Sequence, residues 1–132
     1  MDAAPLTRRE RDAVPPTDPA GLVQFNTRHA SRHIQEADQH FQRAARLAFL
    51  AAGFAAPPPR QYYEARCAAW GQLLKARKLM RAATPLLDEL KDESGKPVGA
   101  AKKAYLVRRV EMINELLDGY FAAGNAALQQ AQ

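Results

Sequence analysis

Apolar side chains recur at three- and four-residue spacings along most of this chain, and prolines and glycines divide the pattern into three segments. Asp18 followed by Pro19 supplies an N-cap acceptor and then a residue whose missing N–H costs nothing in a first helical turn. No proline follows until Pro57, and Gly53 stands where a left-handed C-cap is expected, ahead of Pro57, Pro58 and Pro59. A first helix is therefore predicted over about 18–53. The second segment carries Ala69, Leu73, Ala76, Met80, Ala83, Leu87 and Leu90 at alternating spacings of four and three. This is a coiled-coil-like seam whose alanines let a partner helix approach closely. Pro85 interrupts it. Either the helix kinks there or Thr84 caps a new short helix, and the unbroken heptad phase favours the kink.

Gly95, Pro97 and Gly99 mark a turn over 92–99. The third segment places Tyr105, Leu106, Val110, Ile113, Leu116, Leu117, Tyr120, Phe121 and Leu128 on one broad face at ~100° per residue, with Arg108, Glu111, Glu115 and Asp118 opposite. Gly119, Ala123 and Ala127, four apart, suit a close helix crossing. Sustained two-residue alternation is missing, so no strand is predicted. The expected fold is all-α: an antiparallel bundle of three long helices, about 18–53, 60–91 and 99–130, or four if Pro85 splits the second. Residues 1–17, with three prolines and three arginines, read as a flexible basic arm, and 18–132 as a single domain.

Composition narrows the class. The chain has 132 residues, enough for one ordinary buried core. One cysteine and three histidines exclude a disulfide scaffold and a four-ligand zinc module. The longest membrane candidate, 47–59, is rich in alanine, ends in three prolines and falls well short of the ~20 apolar residues a spanning helix needs. No apolar stretch follows the arginines of the arm, so a cytoplasmic location is expected.

All three histidines lie in the first helix. His29, His33, Glu36 and His40 share a strip about 60° wide, a spacing that can serve a transition metal or a pH sensor. Leu22 and Leu47 share the strip, however, and no second helix offers complementary ligands, so the border of the core explains these residues better. Cys67, between Tyr63, Trp70 and Leu74, reads as a small buried hydrophobe. No glycine-rich phosphate loop, G-x-S-x-G or H-E-x-x-H motif is present. The expectation is a non-catalytic protein without a cofactor.

Charge is the most informative feature. Residues 28–83 contain ten Lys and Arg against three acids, a net of +7, whereas residues 84–132 contain six against seven. In the first helix Arg28, Arg32, Gln35, Gln39, Arg43 and Arg46 form a ridge without a carboxylate. In the second, Tyr63, Arg66, Trp70, Leu74, Arg77 and Arg81 fall within about 80°, with Lys78 beside them. Guanidinium groups pair with phosphates and aromatic rings stack on unpaired bases, so both ridges fit a nucleic-acid backbone, RNA or single-stranded DNA. A solvated helix face explains charge of this kind more simply, but such a face ordinarily mixes signs, as the third helix does. The first expectation is a helical module binding a nucleic-acid backbone, at the level of fold analogy a small subunit of a larger nucleoprotein assembly. The second is an adaptor or inhibitor that docks the same ridges on an acidic protein, or self-associates through the Ala69–Leu90 seam. A metal or pH-sensing site on the first helix is the third.

Overall fold

The computed structural model describes residues 14–131, and within that range the side chains of Leu128 and Ala131 are not described. Most of the expected N-terminal arm, and the place of Leu128 on the third helix's face, therefore lie outside the described residues. Three α-helices make up the structure: α1 (Pro19–Gly53), α2 (Arg60–Ala83) and α3 (Ala100–Ala131), with a 3-10 turn, Thr84–Asp88, after α2. At 1.5 Å per residue they are about 52, 36 and 48 Å long.

Both ends of α1 have local causes. Asp18 Oδ2 accepts from the Gly21 amide at 2.7 Å, and the Ala20 amide donates to the Lys91 carbonyl at 3.1 Å, which joins the start of α1 to the loop before α3. At the other end Gly53 is the last helical residue and not the left-handed cap. The Ala56 amide donates to Ala51 O and the Ala55 amide to Ala52 O, a Schellman closure that puts Ala55, at φ +52°, in the left-handed position.

Pro85 ends the α-helix; it does not kink it. The residue cannot donate to the Arg81 carbonyl and its ring crowds that group, so α2 stops at Ala83 and tightens into the 3-10 turn. Thr84 closes the old helix and starts no α-helix: its hydroxyl donates to Met80 O at 2.7 Å. The 92–99 segment is a tight turn in which the Asp92 carboxylate accepts from the Ser94 hydroxyl and from the amides of Ser94 and Lys96, with Gly95 at φ +78°. Lys91 and Pro97 form a single antiparallel bridge, and the described residues contain no strand.

The bundle is built on the α1–α2 hairpin, whose helix–helix contact is the most extensive in the structure. Ala20, Ala30, Ala37 and Ala44 of α1 and Ala65, Ala69, Ala76 and Ala83 of α2 are all buried. Such small side chains let two helices pack toward the short end of the ~8–10 Å range of interaxial distances. Polar links fix the register: Asn26 Nδ2 donates to Leu79 O at 3.0 Å, and His33 Nδ1 lies 2.6 Å from Gln72 Oε1, one heptad along each helix. The α2 seam residues Ala69, Leu73, Ala76, Met80 and Ala83 are thus covered within the chain, as is Leu90 beyond them. The seam packs the fold, and the expected self-association through Ala69–Leu90 has no exposed stripe to use.

Helix α3 lies antiparallel to α2: Asn114 reaches Thr84, Asp118 pairs with Arg77, and Phe121 contacts Trp70. Its buried stripe, Leu106, Val110, Ile113 and Leu117, is narrower than the face read from sequence, and Tyr105, Met112 and Leu116 are exposed. The close crossing falls at Gly124 and not at Gly119: a Cβ on Gly124 would meet the Trp70 ring at 2.5 Å, whereas one on Gly119 would meet nothing within 4 Å.

Candidate functional site

The α1 ridge faces water along its whole length. Arg28, Arg32, Gln35, Gln39, Arg43 and Arg46 are exposed, on the side of the helix opposite the buried Ala30, Ile34, Ala37 and Ala44. Its two ends differ. Arg28 borders a cleft that also contains Asp18, Asp92 and Glu93, and Arg32 donates to His29 Nδ1 at 2.8 Å. Arg43 and Arg46 stand at the other end, where the hairpin tip begins. Phe49 and Phe54 there are 79% and 84% exposed, and Leu50 beside them is exposed as well. Sequence reasoning passed over these three residues because it treated 47–59 only as a failed membrane span. The signal was available, since Leu50 falls in line with Arg43 and Arg46 on the helical wheel.

The α2 ridge is not a second copy of this surface. Trp70 packs edge-on against Phe41 and tilted against Phe121, each at a centroid distance of 5.6 Å. It is therefore a packing residue and not an open stacking platform. Arg77 pairs with Asp118 at 2.7 Å and lies 4.9 Å from the centre of the Phe121 ring, and Arg66 lies over the Tyr62 ring at 5.7 Å. Arg60 and Glu64 form an i, i+4 pair, so α2 does mix signs on its outer face. Tyr63, Leu74, Lys78 and Arg81 remain exposed. Together these residues line the groove between α2 and α3, whereas the α1 ridge points out of the opposite side of its own helix. The fold separates the two ridges, and no single electropositive side joins them. The arm adds no net charge, because Arg8, Arg9 and Arg11 are matched by Asp2, Glu10 and Asp12.

The histidine strip is a packing border. His29 packs on Phe25 with ring centroids 4.1 Å apart and accepts from Arg32, while His33 faces Gln72 across the α1–α2 interface. His40 and Glu36 are half-buried on the same flank. Among the described residues no group of three or more His, Cys, Asp or Glu side chains is placed to hold a metal ion. Cys67 is exposed and not buried, because α3 docks against the Trp70 side of α2 and leaves the Cys67 side in water. No helix among the described residues is long and apolar enough to cross a membrane. On the α1–α3 side, burial, together with the nearby Asp38 carboxylate, pushes the Tyr120 phenol above its ordinary pKa, and its ring stacks on Phe41.

Comparison with known proteins gave no matching family, no matching curated protein and no matching solved structure.

Proposed function

We propose that this chain is a cytoplasmic, non-catalytic helical module that binds single-stranded nucleic acid, RNA or DNA, along the α1 ridge and the hairpin tip. The observation that carries the reading is the exposure of Arg43, Arg46, Phe49 and Phe54 together over the last turns and the C-cap of α1. Guanidinium groups neutralise phosphates, and exposed rings accept unpaired bases, each stacked base contributing about 1–3 kcal/mol. Phe49 and Phe54 take the stacking role that the sequence suggested for Tyr63 and Trp70. Arg28 and Arg32 extend the ridge about 27 Å from Arg46 along the helix axis, long enough to follow several phosphates. Sequence preference is weak, because a ridge of this kind follows the backbone and does not reach base edges.

The test is a titration of a labelled oligothymidylate, by fluorescence anisotropy, at a series of salt concentrations. Binding should fall steeply with salt, weaken at least tenfold in Arg43→Glu/Arg46→Glu, and weaken at constant salt slope in Phe49→Ala/Phe54→Ala. All four residues are solvent-facing, so the variants should keep the circular dichroism of the parent. No binding at low salt, or binding unaltered by both double variants, would overturn the proposal.

A further inference from the structure

The groove between α2 and α3 carries an inference independent of the α1 ridge. Next to the N-terminal half of α2 lies a cavity of about 840 Å³, floored by Trp70, Leu74, Phe121, Gly124 and Ala127 and walled by Tyr62, Tyr63 and Arg66. A second recess of about 500 Å³, lined by Leu74, Arg77, Lys78, Arg81 and Phe121, adjoins it. Leu74 and Phe121 belong to both, so the two form one trough. From Tyr63 to Arg81 it follows α2 for about 27 Å, five helical turns. Tyr63 and Leu74, both lining residues of the trough, are 56% and 59% exposed. The residues lining the trough include four cations and no acid. Asp118, at its edge, is already engaged by Arg77.

We infer that this trough is a docking site for an acidic amphipathic helix of a partner protein. The occupant is read from the shape and the charge together. A trough between two antiparallel helices accepts a third helix that lays apolar anchors at i, i+4, i+7 and i+11 on the floor. Carboxylates flanking those anchors meet Arg66, Lys78 and Arg81 on the rim. A second copy of this chain fits poorly, because two-fold pairing of the trough on itself would set Arg66, Lys78 and Arg81 against the same three cations of the other copy. Nucleic acid fits poorly as well, because Trp70 already packs against Phe41 and Phe121 and does not stand clear as a stacking platform.

The experiment uses the full chain and a synthetic, tryptophan-free 18-residue helix with leucines at i, i+4, i+7 and i+11 and glutamates at the flanking positions. Trp70 is the one tryptophan of the protein and lies in the floor, so its emission reports occupancy directly. The proposal expects a saturable 1:1 change in Trp70 emission, at least tenfold weaker binding in Leu74→Glu and several-fold weaker binding in Lys78→Glu/Arg81→Glu. It also expects no response to a peptide with lysine in place of every glutamate. Arg43→Glu/Arg46→Glu should leave the peptide affinity unchanged, which separates this site from the α1 ridge. No change in Trp70 emission up to about 0.2 mM peptide, the affinity corresponding to ~5 kcal/mol, would overturn the proposal. So would equal binding by Leu74→Glu, or displacement of the peptide by oligothymidylate at stoichiometric concentration.

Discussion

Gly124 is the position at which one methyl group tests how α3 is seated. A Cβ built there would come 2.5 Å from Trp70 Cη2 and 2.7 Å from Cζ2, against an optimal carbon–carbon separation of ~3.5–4.0 Å. Gly124→Ala therefore requires a displacement of about 1 Å, and the indole cannot supply it freely. Phe41 meets the ring edge-on and Phe121 lies against it, both at 5.6 Å. Overpacking of this kind costs about 1–3 kcal/mol. The same substitution gains about 0.8–1 kcal/mol of helix propensity, so the net effect taken alone is ambiguous.

Gly119→Ala removes the ambiguity. It lies in the same helix with open space around it, so it carries the propensity gain without the clash. The difference between the two variants isolates packing: Gly119→Ala should be more stable than Gly124→Ala by about 1–3 kcal/mol. Urea unfolding followed by Trp70 fluorescence measures both midpoints, and a shift in native emission should accompany Gly124→Ala alone. Equal stability of the two variants, or greater stability of Gly124→Ala, would refute the placement of the C-terminal half of α3 against Trp70.

Other substitutions test neighbouring links of the argument. Leu73 is fully buried and Leu74 lies open in the trough, so Leu73→Ala should cost about 2–5 kcal/mol while Leu74→Ala stays within about 0.5 kcal/mol of the parent in thermal unfolding. Ala55 holds the left-handed position of the α1 C-cap, where a β-carbon costs about 1–2 kcal/mol, so Ala55→Gly should raise stability, and loss of stability would refute the Schellman geometry. The hydroxyl of Ser94 and the backbone amides of Lys96 and Ser94 hold the Asp92 carboxyl below its ordinary pKa. Its contribution to the 92–97 turn is then complete above the usual aspartate value and is lost as pH falls through the lowered one. Carboxyl chemical shifts followed through an acid titration should show Asp92 titrating below the ordinary aspartate value and moving back up in Ser94→Ala, and an Asp92 that titrates at or above that value in the parent would refute the turn.

The parts of the fold that were legible in the sequence are those with local causes. Asp18–Pro19 and the run Pro57–Pro59 bound α1 whatever lies around it, and the Ala69–Ala83 spacing marks a seam that needs small residues on both helices. Pro85 was misread because heptad phase is a long-range pattern, while the missing N–H and the crowded Arg81 carbonyl act within one turn. Cys67 and Trp70 lie only three residues apart on α2, and which of them is covered depends on where α3 docks. The choice between Gly119 and Gly124 is likewise a question of helix rotation, since five residues turn a helix by 140° at 100° per residue. Side-chain partners such as Asn26 with the Leu79 carbonyl or Arg77 with Asp118 depend on tertiary placement and left no trace in spacing alone.

Separation of the two basic surfaces gives the charge arithmetic a consequence. Although residues 28–83 carry a net +7, the charge is divided between the α1 ridge and the α2–α3 trough, so a strand lying along the ridge alone meets only part of it. For a single strand, the logarithm of the affinity falls against the logarithm of salt concentration with a slope of about −0.7 per phosphate neutralised. Arg43 and Arg46 alone would give a slope near −1.4, and all four ridge arginines near −2.8. Arg28, beside Asp18, Asp92 and Glu93, should contribute less than a full charge. The measured slope should therefore fall between about −1.4 and −2.8, and Arg43→Glu/Arg46→Glu should remove most of it. A slope steeper than about −3.5 requires at least five phosphates, more than the ridge has cations, and if Lys78→Glu/Arg81→Glu brings it back below that value, α2 binds the same strand. That result would refute the division into two surfaces and, with it, the independence of the trough.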